Sequence, residues 1–295
     1  MRPFPFPSRL ALVALTATAC APDASTGPVP DGPTRTAYAH VAAIPDASLD
    51  AELADVLATH GFTGRIASTL EARMGRRLNA RLVNVGRLVF FDPVTGLNND
   101  NSCSGCHSPT NGFGDTQSIA IGVENNNVVG PNRAGPRNQR RSPLILNAAF
   151  FPTLMWNSRF LALSGDPFDN SAGFQFPPPE GLTLSGLPHL LGAQAHIPFT
   201  ERVEMAGFDF PGGNDDIRNE VLRRLNAIDR YRVLFGEVFP EVRRGAPITF
   251  EHVGNAIAEF TFSLVAADAP IDRFARGHHG ALTNSEKRGA LLFFG

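Results

Sequence analysis

Cys103, Cys106 and His107 lie within five consecutive residues, in the pattern C-x-x-C-H. This pattern is the covalent attachment site of c-type haem. Two thiols three positions apart can each form a thioether with a porphyrin vinyl group, and the following imidazole can bind the iron. The pentapeptide therefore predicts one covalently bound haem c, with His107 as its metal ligand.

Two other kinds of site use a C-x-x-C pair. A structural zinc site usually needs four Cys or His ligands, and the sequence holds no second pair, because its third cysteine is the isolated Cys20. A thioredoxin-like redox pair belongs to a βαβ unit of a cytosolic chain, and the sequence predicts neither. Haem attachment is therefore the interpretation that the sequence favours.

The length of the chain bounds the number of domains, and its charge bears on the kind of partner it could bind. A chain of 295 residues can form two modest domains with buried cores. Its formal net charge of −2, with 18% charged residues, gives no reason to expect a nucleic-acid partner.

We predict an export signal in residues 1–19. Arg2 and Arg9 supply its positive start, and an apolar run too short to span a bilayer follows. The run ends in Ala-Thr-Ala, a small-residue cleavage site, directly before Cys20. Cys20 is then either lipidated, which we favour and which would anchor the protein to a membrane, or a free N-terminal thiol. Either outcome predicts a periplasmic protein, in agreement with the attachment of c-type haem outside the cytoplasm.

The next stretches predict a mostly α fold. Residues 20–46 are rich in Pro, Ala, Thr, Asp and Gly, and we expect a disordered tether. Residues 108–141 are rich in Gly, Asn and Pro without a sustained period, and we expect an irregular loop over the haem. Apolar residues recur at helical spacing in four stretches: Leu49, Leu53, Val56 and Leu57; Leu78, Leu82, Val85, Leu88 and Val89; Ile217, Val221, Leu222, Leu225 and Ile228; and Val253, Ile257, Phe260 and Leu264.

Two of these stretches carry boundary signals. Asp92 and Pro93 should end the second helix, and Thr249 is the predicted N-cap of the fourth. Strand-type alternation is scarce. The expected fold is therefore mostly α with long irregular loops, as is typical where a haem supplies much of the core.

Four separate blocks resemble the bacterial di-haem cytochrome c peroxidases, and they occur in the family order. They are 86–93 (GRLVFFDP), 141–150 (RSPLILNAAF), 155–156 (MW) and 203–207 (VEMAG). The resemblance covers roughly residues 48–295. The methylamine-dehydrogenase maturation enzyme belongs to the same superfamily and uses similar haems to oxidise a protein substrate.

The resemblance implies two haems, one that reacts with peroxide and one that stores an electron. Residues 47–268 would form the N-terminal peroxidatic domain, in which His107 matches the proximal ligand. Residues 269–295 would begin a second cytochrome c-like domain. In many relatives a distal His follows an Ile-Gly pair, but here Val123 follows that pair, and valine cannot ligate iron. An open iron site is therefore favoured, and four side chains are alternatives for the sixth ligand: Met155, Met205, His189 and His196.

The resemblance also assigns roles to single residues. Glu204 matches the catalytic glutamate, which would take a proton from peroxide and return it to the departing oxygen; the alternative is a surface salt bridge with Arg202. Gln194 stands ten residues earlier, where the family keeps an amide that orients peroxide; the alternative is a solvated loop residue. Trp156 matches a tryptophan that relays electrons between the haems; the alternative is a buried core residue.

Three features of the sequence are less typical of the family. Residues 157–159 (NSR) replace the usual Asp-Gly-Arg, although Arg159 could still pair with a haem propionate. Arg141 occupies the position of an Asn that helps to bind calcium, and because arginine cannot ligate calcium, that site is in doubt. Residues 160–193 form a long insertion that would be a lid, a partner surface or a tolerated surface loop.

The first functional hypothesis is an exported c-type haem peroxidase. It would reduce hydrogen peroxide to water with electrons from a cytochrome c or a cupredoxin. The alternatives are a haem enzyme that oxidises a protein or organic substrate, and a pure electron-transfer cytochrome. A lipid anchor and a homodimer are further expectations.

An internal repeat concerns the second haem. Residues 86–91 (GRLVFF) are echoed by 289–294 (GALLFF), and the second copy follows a predicted capping box of Thr283 and Glu286. The given sequence stops at Gly295, where the resemblance places a second C-x-x-C-H motif. We therefore expect one covalent haem site in this sequence and a second in a full-length protein.

Overall fold

The computed structural model describes residues 33–175 and 189–295. Within these ranges the chain is mostly α-helical, which confirms the predicted fold class. The α-helices in chain order are α1 (Pro33–Ala43), α2 (Leu49–Thr59), α3 (Leu70–Met74), α4 (Ala80–Phe91), α5 (Cys103–Cys106), α6 (Leu190–Gln194), α7 (Asn214–Asn226), α8 (Asp229–Gly236), α9 (Pro240–Arg243), α10 (Phe250–Phe262), α11 (Pro270–Ala275) and α12 (Asn284–Phe294).

Other regular structure is short. Three strands, β1 (Thr153–Leu154), β2 (Phe160–Ala162) and β3 (Phe174–Gln175), form an antiparallel sheet in that order. Leu161 pairs with Thr153 on one side and with Gln175 on the other. The 3₁₀ turns are Asp46–Ser48, Ile66–Thr69, Pro93–Thr95, Pro109–Asn111, Ala148–Phe150, Pro198–Thr200 and His279–Ala281. A single π-helical turn among the described residues covers Arg202–Ala206.

The described chain divides into two compact units. The smaller unit joins residues 33–56 to residues 283–295, and in it α1 packs against α12. Arg288 on α12 donates hydrogen bonds to the carbonyl oxygens of Val41 (2.7 Å) and Ile44 (2.8 Å). These contacts fix the end of α1 against α12.

The larger unit comprises residues 57–282 and holds the main apolar core. Helices α4, α7, α8 and α10 supply most of this core. Side chains on these helices that are completely shielded from solvent include Val89, Ile217, Val221, Leu225, Phe235 and Val253. The predicted apolar stripes of α4, α7 and α10 therefore all contribute to one core.

The predicted boundaries of α4 and α10 agree with the structure. The Asn79 side chain caps α4 by accepting hydrogen bonds from the backbone N–H groups of Arg81 and Leu82. Asp92 ends α4, and Pro93 starts the next turn. Thr249 caps α10, as predicted.

Helices α4 and α10 approach each other closely at Gly86. A Cβ atom at Gly86 would overlap the carbonyl oxygen of Ala256 on α10. The absence of a side chain thus lets the two backbones touch. One turn further on, Phe90 of α4 and Phe260 of α10 meet with ring centroids 5.0 Å apart.

The two copies of the internal repeat both form the last turns of a helix, α4 and α12. Their surroundings differ. Gly86 is buried against α10, whereas Gly289 has open space where a Cβ would be. Phe90 is 3% exposed and Phe293 is 81% exposed.

The prediction of a disordered tether over residues 20–46 is wrong for residues 33–43, which form α1. Pro33 stands at the first position of the helix, where proline is favoured, and four of the eleven residues are alanine. The packing against α12, which could not be seen in the sequence, supplies the remaining stabilisation.

The start of the predicted second domain is placed differently by the structure. Residues 269–282 pack with the larger unit, and Arg276 donates hydrogen bonds to the carbonyl oxygens of Gly64 (2.6 Å) and Ala267 (2.8 Å). The assignment of a second cytochrome domain stays a prediction.

Several predictions fall outside the described residues. They concern the export signal at 1–19, Cys20, the first part of the tether, and residues 176–188 of the insertion. In the described ranges, every helix is too short or too polar to cross a membrane.

Replacing Gly86 by Ala should destabilise the protein by about 1–3 kcal/mol, because the added methyl group forces α4 away from α10. Thermal unfolding followed by circular dichroism measures this effect. The matched control is Gly289→Ala, at an exposed helical position, where Ala should stabilise by about 0.5–1 kcal/mol. Equal effects of the two substitutions would contradict the importance of the close contact.

Candidate haem-binding site

The C-x-x-C-H motif forms a single helical turn. Helix α5 spans Cys103–Cys106, and the backbone N–H of His107 donates to the carbonyl oxygen of Cys103 at 2.9 Å. Gly105 has no space for a side chain, because a Cβ there would overlap the Asn101 side-chain oxygen. The turn therefore presents both thiols and the imidazole from one short, tightly packed segment.

These three residues line one cavity of about 1260 Å³ of atom-free space, including its opening. The same cavity is lined by three other residues that the sequence predicted for the site, Gln194, Glu204 and Trp156. Most of its remaining wall is apolar and comes from α4, α6, α10 and residues 143–155. A flat, largely apolar porphyrin needs walls of this kind.

His107 is oriented by a backbone carbonyl. Its Nδ1 lies 3.2 Å from the oxygen of Phe113, and because a carbonyl only accepts, Nδ1 carries the proton. The lone pair is then on Nε2, the atom that can bind iron. Burial lowers the pKa of His107 and keeps the ring neutral. Phe113 adopts a φ of 58°, an uncommon value for a bulky residue, in the loop that places this carbonyl.

A cluster of aromatic rings lies on one side of His107. The ring of Phe90 lies 6.4 Å from the imidazole, and Phe113 lies 6.2 Å from Phe90 and 6.0 Å from Phe260, measured between centroids. Two of these three rings belong to α4 and α10. The contact between those helices thus builds the wall behind the predicted iron ligand.

The electrostatics of the cysteines disfavour a redox role. Burial raises the pKa of the Cys103 thiol to about 12, and the neighbouring Cys106 adds to this effect. Burial and the charge of Glu204 raise the pKa of Cys106 to about 11. Reactive redox cysteines have lowered pKa values. Both sulfurs are free and near the cavity, as haem attachment requires.

Glu204 lies on the π-helical turn, in the cavity wall. Burial, and to a smaller extent the charge of Glu201, raise its pKa to about 7, while Arg159 opposes both effects. The alternative partner, Arg202, instead donates to the carbonyl oxygens of Gly207 (3.1 Å), Phe210 (2.6 Å) and Gly212 (2.5 Å). The structure therefore gives Glu204 a carboxyl group that can hold or release a proton near neutral pH.

The other predicted residues are placed in different ways. Gln194 ends α6 and faces the cavity. Trp156 is 68% exposed, which contradicts a core role, and its Nε1 donates to the Arg141 carbonyl oxygen at 2.8 Å. Arg159 is outside the cavity wall and bonds to Glu201 at 3.3 Å. Its contact with a haem propionate stays a prediction.

Val123, at the position where the resemblance expects a distal histidine, is not part of the cavity wall. Val123 is 5% exposed, and its backbone N–H donates to the oxygen of Val203 at 3.3 Å. Of the four alternative ligands, Met155 and Met205 line the cavity. His189 uses both ring nitrogens in hydrogen bonds to the backbone. Among the described residues of the cavity wall, His107 is the only histidine.

Sequence reasoning missed two residues that connect the site. Asn101 donates to the Glu204 carbonyl oxygen at 2.6 Å and accepts from Arg133 at 2.6 Å. Arg133 is buried and also donates to the carbonyl oxygen of Ile121. Neither residue belongs to a motif with a known role, so no sequence pattern could have identified them.

The fold and the cavity define the class of protein as one that binds haem c. The two thiols, the neutral imidazole with its lone pair on Nε2, and the apolar walls all fit the group. The comparisons with known proteins give the family.

The chain belongs to the di-haem cytochrome c peroxidase family, whose sequence model matches residues 80–280. Among curated relatives, the methylamine utilization protein MauG of Methylorubrum extorquens is 29% identical over 220 residues, 74% of this chain and 48% of the relative. Cytochrome c551 peroxidase of Pseudomonas aeruginosa is 25% identical over 74% of this chain and 49% of its own length. The chain spans about half the length of these relatives.

A solved structure supports the fold. It is the crystal structure of a MauG-like protein associated with microbial copper homeostasis, with a TM-score of 0.52 and 24% identity. The alignment covers 74% of this chain and 50% of that chain.

Replacing Cys103 or Cys106 by Ser should leave haem attached through one thioether, and replacing both should leave it extractable by acidified acetone. A pyridine haemochrome spectrum measures the number of thioethers. The control is Ser104→Ala, between the two cysteines, which should retain both thioethers. Haem that stays covalently bound in the double variant would contradict the assignment.

Proposed function

We propose that this chain forms the peroxide-reacting part of an exported haem oxidoreductase, which reduces hydrogen peroxide to water with electrons from a cytochrome c or a cupredoxin. The observation that carries the proposal is the presence of Glu204 and Gln194 on the cavity that also contains the haem motif. The membership of the family and the similarity to cytochrome c peroxidases support it.

Haem c, when bound, supplies the redox-active iron that exchanges electrons with peroxide and with the donor. The chain must handle the protons. Reduction of one hydrogen peroxide to two waters consumes two electrons and two protons. A carboxylate at the cavity can take a proton from one peroxide oxygen and return it to the other as the bond breaks. Glu204, with a pKa of about 7, exists in both required forms near neutral pH.

Two other side chains complete the proposal. The Gln194 amide both donates and accepts without titrating, so it can orient peroxide at any pH. Trp156 is at once exposed and part of the cavity wall. We propose it as the point at which electrons enter.

Oxidation of a protein or organic substrate is the second candidate. Val123 in place of a distal histidine and the similarity to MauG favour it. Steady-state turnover of peroxide with reduced cytochrome c or cupredoxin separates the two functions, because rapid turnover supports the peroxidase.

A pure electron-transfer role would require a second strong iron ligand. Met155 and Met205 are the candidates on the cavity wall for that ligand. A wholly low-spin ferric spectrum without reaction with peroxide would support this role and contradict the peroxidase.

We also propose export to the periplasm, from the charges, apolar run and cleavage site of residues 1–19. Lipidation of Cys20 is part of this proposal. Fractionation of cells that express the wild-type chain or Cys20→Ser tests export and lipidation together. The wild type should be found with membranes, and Cys20→Ser should be found in the periplasmic fraction without membranes.

Replacing Glu204 by Gln should keep haem binding but slow the reaction with peroxide by about 10²- to 10⁴-fold, because the amide cannot accept the proton. Stopped-flow absorbance of the ferric protein measures this rate. The control is Glu237→Gln at an exposed position, with an unchanged rate expected. Wild-type kinetics in Glu204→Gln would contradict the role.

The wild-type rate should rise with pH through about 7, because only deprotonated Glu204 can act as the base. Glu201→Gln should move this midpoint to lower pH, since it removes the negative charge that raises the Glu204 pKa. Arg159→Met should move it to higher pH, since it removes the opposing cation. Midpoints that coincide in all three proteins would exclude Glu204 as the titrating group.

A further inference from the structure

Arg133 is the most enclosed cation beside the haem motif, with 5% of its surface exposed. Its Nε donates to the oxygen of Ile121 at 2.7 Å, and Nη1 donates to that of Val128 at 3.0 Å. Nη2 donates to the Gly122 oxygen at 2.9 Å and to Oδ1 of Asn101 at 2.6 Å. All four acceptors are electrically neutral.

Arg133 lies directly against the turn that attaches haem. A Cβ at Gly105, between the two cysteines, would be 2.9 Å from Nη2 of Arg133. The carbonyl oxygen of Ile121 accepts a hydrogen bond from Nε of Arg133, and Sγ of Cys106 lies 3.6 Å from the same oxygen. The guanidinium and an attachment sulfur therefore lie against one backbone carbonyl.

The charge of Arg133 is not neutralised by contact. Among the described residues it has no salt bridge. The negative charges of Asp100 and Asp115 act on its pKa from a distance, without a hydrogen bond to the guanidinium. Their carboxylates accept hydrogen bonds from backbone N–H groups of Glu124 and of Gln117, respectively. A guanidinium remains protonated even when buried. A buried cation without a contacting carboxylate costs stability, so its presence beside the haem motif calls for a functional reason.

We infer that Arg133 raises the reduction potential of the haem through its buried positive charge. Ferric haem carries one more positive charge than ferrous haem. A fixed cation in a poorly solvated site therefore disfavours the oxidised form. Its hydrogen bonds to Ile121 and Gly122 keep the charge at a constant distance from Cys106. The inference rests on haem c binding, as proposed above, but it does not depend on which reaction the haem performs.

Spectroelectrochemical titration of the holoprotein tests this inference. Arg133→Met removes the charge and should lower the haem reduction potential, whereas Arg133→Lys keeps the charge and should stay closer to the wild type. The matched control is Arg137→Met, in the same loop but exposed, with an unchanged potential expected.

An unchanged haem reduction potential in Arg133→Met would overturn the inference. Arg133 would then support the structure of the loop without acting on the haem through its charge. If Arg133→Met fails to retain haem, Arg133→Gln decides. Its neutral amide can still donate to the backbone carbonyl groups that Arg133 binds, and the potential should again fall; no fall would overturn the inference. If the wild-type protein binds haem but does not turn over peroxide, the proposed function is contradicted and the inference about Arg133 is unaffected.

Discussion

The contact between α4 and α10 at Gly86 determines the geometry of the rest of the site. With no side chain at Gly86, the Ala256 carbonyl lies against the α4 backbone. Phe90 and Phe260 can therefore meet and form the wall behind His107. A larger residue at Gly86 would separate the helices and open a gap beside His107, where close packing keeps the imidazole in one orientation.

Burial determines the protonation of the side chains at the site. It shifts the pKa values of acids upwards and those of bases downwards. It raises the pKa values of the two thiols and of Glu204, and it lowers that of His107. All four groups are therefore shifted towards their neutral forms. For the thiols this opposes the activation that a redox pair needs, and for the imidazole it keeps a lone pair that can bind iron. Glu204 differs because Arg159 counteracts part of the shift and leaves its pKa near neutrality.

The loop after the haem motif has a definite architecture although it lacks repeating structure. Arg133 holds the carbonyl groups of Ile121 and Gly122, and Asn101 links it to the Glu204 turn. The turn that carries Cys103 and Cys106 and the turn that carries Glu204 are thus connected by hydrogen bonds between side chains and backbone. A displacement of one turn would be transmitted to the other through these bonds.

The sequence by itself determined the haem motif, the mostly α fold, the caps at Thr249 and Thr283, and the family. These features depend on local spacing and on blocks of adjacent residues, which a sequence displays directly. Only the tertiary structure decided that residues 33–43 form a helix, that Trp156 is exposed, that Arg202 does not pair with Glu204, and that Arg133 lies beside Cys106. Each of these depends on contacts between residues distant in sequence or on chain geometry in an aperiodic loop, and neither leaves a periodic pattern in the sequence.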